Sequence, residues 1–270
     1  MPTTSVPGAE LDWSLLDLTP PWSPPCSPGA RAIVFQHGLG ANQGIWAEWL
    51  PALIGRYRIL RFDMRGHGRS PAEPGAPLDM EILTDDLFAV MDAAGVERAH
   101  LVGESIGGTI VLNAALRAPG RVATLTVCNG AHKGGSIQAV HDWQRIIEES
   151  GMPGWSTHMM GCRFYDGAIP DSLRHWYHAE QARTDPDVLL RGVAALVGAD
   201  LEGRLGEVRP PVLLLHPDAS PFIPVEVMAE FRRGVPDGRL HVIGDAKHGM
   251  PVSHAGACAA LLREFLQARP

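Results

Sequence analysis

The sequence predicts an α/β fold, a mostly parallel central sheet with helices on both faces, and three observations predict it. Apolar runs of strand length alternate with longer amphipathic stretches, the pattern of strands joined by crossover helices. Most of those runs are continuous in Val, Ile and Leu, as strands covered on both faces require. The chain is 270 residues long with 45% hydrophobic residues, enough for one large domain with a buried core.

In chain order, the first 30 residues are rich in proline (Pro20, Pro21, Pro24, Pro25, Pro28) and are expected to form an irregular strap or a degenerate edge hairpin. Strands are expected at 32–35, 57–62, 100–103, 124–128, 211–216 and 240–243. Helices are expected at 45–53, 83–94, 107–117, 225–233 and 254–267, the last with Ala257, Leu261, Leu262 and Phe265 on one face. Between 131 and 207 no strand-like run occurs, while Trp143, Trp155, Trp176, Met152, Met159 and Met160 accumulate. The reading is a helical cap inserted at 131–207 into an α/β core made of 1–130 and 208–270, with no internal repeat.

Charge and composition narrow the function classes. Lys plus Arg is 23 against 30 Asp plus Glu, a formal charge of −7 with no clustered basic face. That disfavours nucleic acid or an anionic membrane as the main partner. The longest apolar runs, such as 212–215, fall far short of the roughly 18 to 20 residues of a membrane span. The N-terminus has no basic region followed by an apolar stretch, so a cytoplasmic protein is expected. Cys26, Cys128, Cys162 and Cys258 lie far apart and form no CxxC pair, which favours free thiols over disulfides or zinc. His175 and His178 are three apart, but no further ligand pattern accompanies them, and no metal or organic cofactor is expected.

The sharpest chemical signal is Gly103-Glu104-Ser105-Ile106-Gly107, set between the expected strand at 100–103 and the helix that follows. A serine there sits on a tight strand-to-helix turn, and the flanking glycines let neighbouring backbone come close. Helix onset just beyond it aims backbone N–H groups at developing negative charge. A second element, His37-Gly38-Leu39-Gly40, ends the strand at 32–35. The N–H groups of Leu39 and Ile106 together would make a two-donor oxyanion hole, in which each donor is typically worth about 3 to 4 kcal/mol.

With HGLG at 37–40, FDMRGHGRS at 62–70, GESIGG at 103–108 and a late His-Gly at 248–249, the chain resembles the α/β-hydrolase superfamily over nearly all of its length outside the insertion and the strap. The stretch 127–133 resembles the start of the cap in 3-oxoadipate enol-lactonase-like members. The resemblance implies an α/β-hydrolase fold with a structural role for Asp63, Arg65 and His67. It also implies His248 as the general base that Ser105 needs, since a serine hydroxyl is almost un-ionised near pH 7. It implies an acid about four residues before a proline after the strand at 211–216, and counting back from Pro224 gives Ser220 instead. Asp218, two residues earlier, is the nearest carboxylate in that loop that could orient His248. A hydrogen bond from Asn129 or Ser220, or another acid, stays open at this point. Members that take their acid from the end of the strand before the cap would place it at Asn129, which is an amide.

Substrate contacts are expected from His132 and Lys133 at the exit of that strand and from cap residues, with Trp143, Arg145, Trp155, Arg163 and Trp176 as the candidates. Glu104 is read equally as a structural and as a mechanistic residue. The expected activity is a serine hydrolase cleaving a small carboxylic ester or lactone through an acyl-enzyme on Ser105. Serine rather than aspartate at 105 argues against haloalkane dehalogenases and epoxide hydrolases of this fold. The alternatives are a hydrolase of a carbon–carbon bond in a diketone and a ligand-binding protein with a degenerate triad. The partner is a small molecule, and a homodimer is left open.

Overall fold

A computed structural model describes residues 1–22 and 32–268. Pro24, Pro25, Pro28 and Cys26 lie outside the described residues. Of the two expectations for the start of the chain, the structure shows the edge hairpin, and it is regular, with no irregular strap among the described residues. β1 (Thr3–Val6) and β2 (Ala9–Leu16) pair antiparallel with Val6 opposite Ala9, leaving Pro7 and Gly8 as the turn. Gly8 takes a φ of 76°, open to glycine without strain.

The remaining strands are β3 (Ala32–Gln36), β4 (Arg58–Phe62), β5 (Ala99–Glu104), β6 (Val122–Cys128), β7 (Val212–Pro217) and β8 (Gly238–Ile243). They form one eight-stranded sheet in the order β1-β2-β4-β3-β5-β6-β7-β8, parallel from β4 to β8. Every residue of β3, β5 and β7 is buried, as continuous aliphatic runs in the middle of a two-sided sheet must be.

Helices cover both faces: α1 (Leu50–Leu53), α2 (Met80–Ala93), α3 (Ile106–Arg117), α4 (Trp143–Arg163), α5 (Asp171–Arg183), α6 (Pro186–Gly198), α7 (Val225–Gly234), α8 (Met250–Ser253) and α9 (Ala255–Gln267). On one face Leu83, Leu87, Ile110, Met228 and Phe231 pack on Val34, Leu101, Leu125 and Leu214. On the other, Trp46, Trp49, Leu262 and Phe265 pack on Ile33, Phe35, Leu213 and Leu215. The buried stripe of α9 is Ala255, Cys258, Ala259, Leu262, Phe265 and Leu266, so Ala257 points outward, contrary to expectation. The expected helix at 45–53 is a 3₁₀ turn over Gln43–Trp49 running into α1.

Helices α4, α5 and α6 connect β6 to β7. α4 is two helices across a kink: Gly151 has φ 66°, and Pro153 follows, lacking the N–H that would continue the ladder. Its C-terminal half ends at Arg163, which is buried beneath the insertion. Among the described residues no helix is long and apolar enough to cross a membrane.

Candidate active site

Ser105 stands between the end of β5 and the first residue of α3 with φ 57° and ψ −124°, a conformation that costs a non-glycine residue about 1 to 3 kcal/mol. The fold holds it there. Ser105 N–H donates to the Cys128 carbonyl at 3.0 Å, and its own carbonyl accepts from Gly108 N–H at 2.9 Å. The flanking glycines are steric requirements, because a Cβ on Gly103 would lie 2.1 Å from the Gly107 carbonyl oxygen. One on Gly107 would lie 2.4 Å from that of Gln36. Ile106 opens α3, so its N–H belongs to the first turn that has no intrahelical acceptor.

Ser105, His248, Leu39, Trp143, Arg163 and Phe222 line a cavity of about 20 Å³. That is room for about one water molecule. No hydrogen bond joins Ser105 Oγ to His248 among the described residues, as is common before a substrate draws the pair together. The His248 ring is 3% exposed and meets Phe222 edge-on with centroids 4.7 Å apart. The loop that carries it is tied to the end of α4 at two points. Gly249 N–H donates to the Arg163 carbonyl at 2.9 Å, and Lys247 Nζ donates to the Gly161 carbonyl at 2.8 Å with its charge over the Tyr165 ring.

Asp218 makes no hydrogen bond to His248 among the described residues. Its two carboxylate oxygens accept from the backbone N–H groups of Asp245 and Ala246, each at 3.0 Å, and the side chain is exposed. Those bonds hold the carboxyl below its ordinary range and brace the turn before the histidine. Ser220 Oγ accepts from Ile223 N–H at 3.2 Å and shapes its own turn. The side chain beside His248 Nδ1 is Asn129, whose Nδ2 is 3.4 Å away and donates to the His248 carbonyl. A carbonyl can only accept, which puts the amide NH₂ on that side. A second Nδ2–H toward Nδ1 leaves that nitrogen an acceptor and the ring proton on Nε2. Asn129 Oδ1 is buried without a partner.

Around Ser105 the charge is one buried ion pair. Arg163 donates from Nη1 to Glu104 Oε1 at 3.2 Å, from Nη2 to the Leu39 carbonyl at 2.9 Å, and from Nε to Gln181 Oε1 at 3.0 Å. Its guanidinium also lies 5.2 Å from the Tyr177 ring centre. Burial pushes the Glu104 carboxyl up, and Arg163 opposes that. Burial, then Arg163 and then His216 hold His248 well below the usual histidine range.

Of the expected substrate contacts, Trp143 lines the cavity. Trp155 is a layer behind it, fully buried, with ring centres 5.2 Å apart. Arg145 is on the outer face of α4, paired with Glu149 at 2.9 Å and Asp142 at 3.3 Å, so it does not reach the site. Lys133 is half-buried and paired with Glu202. His132 turns away from the cavity to stack on Phe231. Its ring, Glu202 and Glu230 bring potential ligand atoms within 4.8 Å of one another, although the Lys133 ammonium already occupies Glu202. Nothing in the sequence singles out Phe222, and nothing there sets Arg163 apart from Arg145. Their signals are weak: an aromatic in the Pro-flanked loop after β7, and a basic residue closing an apolar helix half.

The fold and the serine turn define the class, and the model for the alpha/beta hydrolase fold matches residues 31–255. The chain belongs to that family. Among curated relatives, the pimeloyl-[acyl-carrier protein] methyl ester esterase of Methylococcus capsulatus is 32% identical over 260 residues, covering 87% of this chain and 94% of that one. A Caulobacter sp. protein named "Putative carbamate hydrolase RutD" is 28% identical over 250 residues, covering 87% and 90%. Among solved structures, the enol-lactonase of Burkholderia xenovorans LB400 superposes with a TM-score of 0.87 at 25% identity, covering 98% of this chain and 99% of that one.

Proposed function

We propose that this protein is a serine hydrolase cleaving a small carboxylic ester or lactone through an acyl-enzyme on Ser105, with residues 131–207 as a cap over the nucleophile. The observation that carries the reading is Ser105 itself, held at φ 57° at the head of α3 in one cavity with His248 and Leu39. The esterase and lactonase relatives support an ester bond, and the carbamate relative keeps the neighbouring acyl–nitrogen bond in view.

In this mechanism Ser105 Oγ attacks the substrate carbonyl carbon and its proton passes to His248 Nε2. The oxyanion takes the N–H groups of Leu39 and Ile106. As the carbon–oxygen bond breaks, the imidazolium returns that proton to the leaving oxygen. Water then repeats the sequence on the acyl-enzyme, releasing the acid and restoring Ser105. The reactive histidine tautomer carries its proton on Nδ1, whereas Asn129 favours Nε2. Turnover is therefore slow compared with a triad that has a carboxylate at that nitrogen. No metal or organic cofactor enters any step.

That same observation favours a second reading, a binding protein that uses the cleft without turnover. Labelling with a fluorophosphonate, followed by intact mass and the p-nitrophenol burst from a short-chain ester, separates the two. A single adduct lost in Ser105→Ala, together with turnover, supports the hydrolase. Absence of both refutes it.

A further inference from the structure

The carboxylate facing the His248 ring comes from the residue before the nucleophile. Glu104 Oε1 is 3.9 Å from His248 Nε2, and neither side chain is more than 4% exposed. The charged or titratable groups that face the ring are Glu104 from the end of β5, Arg163 from the end of α4 and His216 from β7. Tyr177 of α5 and Cys128 of β6 adjoin Glu104 in turn. Charges on the histidine's own loop and its support are engaged elsewhere: Lys247 on the Gly161 carbonyl, Asp218 on backbone N–H groups. Asn129 at Nδ1 is neutral. A histidine that becomes an imidazolium in this site therefore has one carboxylate within reach, on its Nε2 side.

We propose that Glu104 is a positioning residue whose carboxylate, tied down by Arg163, is the counter-charge of the His248 imidazolium that forms during acyl transfer. The inference rests on the serine-hydrolase reading. Glu104 exchanges no proton or electron pair: the proton travels from Ser105 Oγ to His248 and on to the leaving oxygen. Arg163 has a double part, fixing Glu104 and the Leu39 carbonyl while its own charge opposes protonation of His248. Removing one member of the pair and then the other must move the histidine in opposite directions, which loss of packing alone does not do.

The test measures the acid limb of kcat/KM on an activated ester, and separately titrates the ¹⁵N-labelled His248 ring by NMR in a Ser105→Ala background. For Glu104→Gln the His248 midpoint is expected to fall by about one pH unit or more, with kcat/KM on the plateau down roughly tenfold. Glu104→Asp keeps the midpoint near wild type, and Arg163→Met raises it. An unmoved midpoint in folded Glu104→Gln, or shifts of the same sign in Glu104→Gln and Arg163→Met, overturns the proposal. Where Glu104→Gln fails to fold, Arg163→Met decides, and a midpoint that does not rise overturns it. The titration needs no turnover, so it separates two failures. Without a Ser105 adduct in wild type the hydrolase reading falls, and with an adduct but no shift only the counter-charge falls.

Discussion

Asn129→Asp is expected to make this site faster. Asn129 is fully buried, with its Nδ2 donating to the His248 carbonyl and lying 3.4 Å from Nδ1. It presents a donor where a serine–histidine pair needs an acceptor. Where the reverse change, Asp to Asn, has been made in a serine triad, the wrong tautomer lowers kcat by about 10⁴, or about 5.4 kcal/mol. That is the ceiling of the gain. The change also loses the bond to the His248 carbonyl and sets a carboxylate oxygen facing that carbonyl, about 3 kcal/mol by the usual penalty for a buried unsatisfied group. That penalty is carried by ground state and transition state alike, so it lowers stability and not kcat, and kcat on p-nitrophenyl acetate is expected to rise by up to about 10⁴-fold. The new charge favours the imidazolium, so the acid limb of the profile moves to higher pH. Urea unfolding is expected to show a stability loss of about 3 kcal/mol. A folded Asn129→Asp protein with kcat at or below wild type would refute the assignment of Asn129 as the group that sets the His248 proton.

Three further outcomes follow from the structure. The Arg65–Asp86 pair is bidentate at 2.6 Å and no more than 4% exposed, so Asp86→Ala leaves a buried guanidinium uncompensated and is expected to cost about 3 to 5 kcal/mol in urea unfolding, against less than 1 for Asp142→Ala at the surface. Burial holds His37 and His216 at about 4 and His67 at about 3. Their unfolded states bind protons first as pH falls below about 6.5, so folded stability is full above that pH and drops by about 1.4 kcal/mol per pH unit for each histidine down toward pH 4. The raised carboxyls of Asp86 and Glu104 act in the opposite sense, and a urea series from pH 8 to 4 that shows no net loss would contradict the histidine burial. Trp143→Ala is expected to enlarge the 20 Å³ cavity and raise kcat/KM for longer acyl chains over acetate, measured on a p-nitrophenyl ester series; an unchanged chain-length preference would remove Trp143 from the acyl site.

What was legible in the sequence was whatever local chemistry decides. The continuous aliphatic runs gave the parallel strands to within a residue or two, and GESIG between strand and helix gave the serine turn, because sterics at Gly103 and Gly107 leave no other residue there. The hairpin β1–β2 is one of the two expectations for the start of the chain, and the alternation of Ala9, Leu11, Trp13 and Leu15 supports it, while the nearby prolines keep the irregular strap open in the sequence. The site's third member was not readable from spacing. Asp218 and Asn129 both stand at strand ends near His248, and the difference lies in where the His248 loop folds back, which long-range backbone bonds determine. Arg145 and Arg163 are likewise equivalent in the sequence, and helix phase and a kink separate them: only Arg163, at the end of α4, points inward.

The two ties between the histidine loop and the end of α4 have a kinetic consequence. The segment that closes the cavity also holds the backbone on either side of the base, through Gly249 and Lys247. If the chain acts as proposed, admission of substrate and assembly of the base are one event: an outward swing of that helix end would draw the histidine loop with it, and its return would restore it. Such a coupling filters ligands by time as well as by shape. A molecule that holds the helix end away would meet a serine without its base.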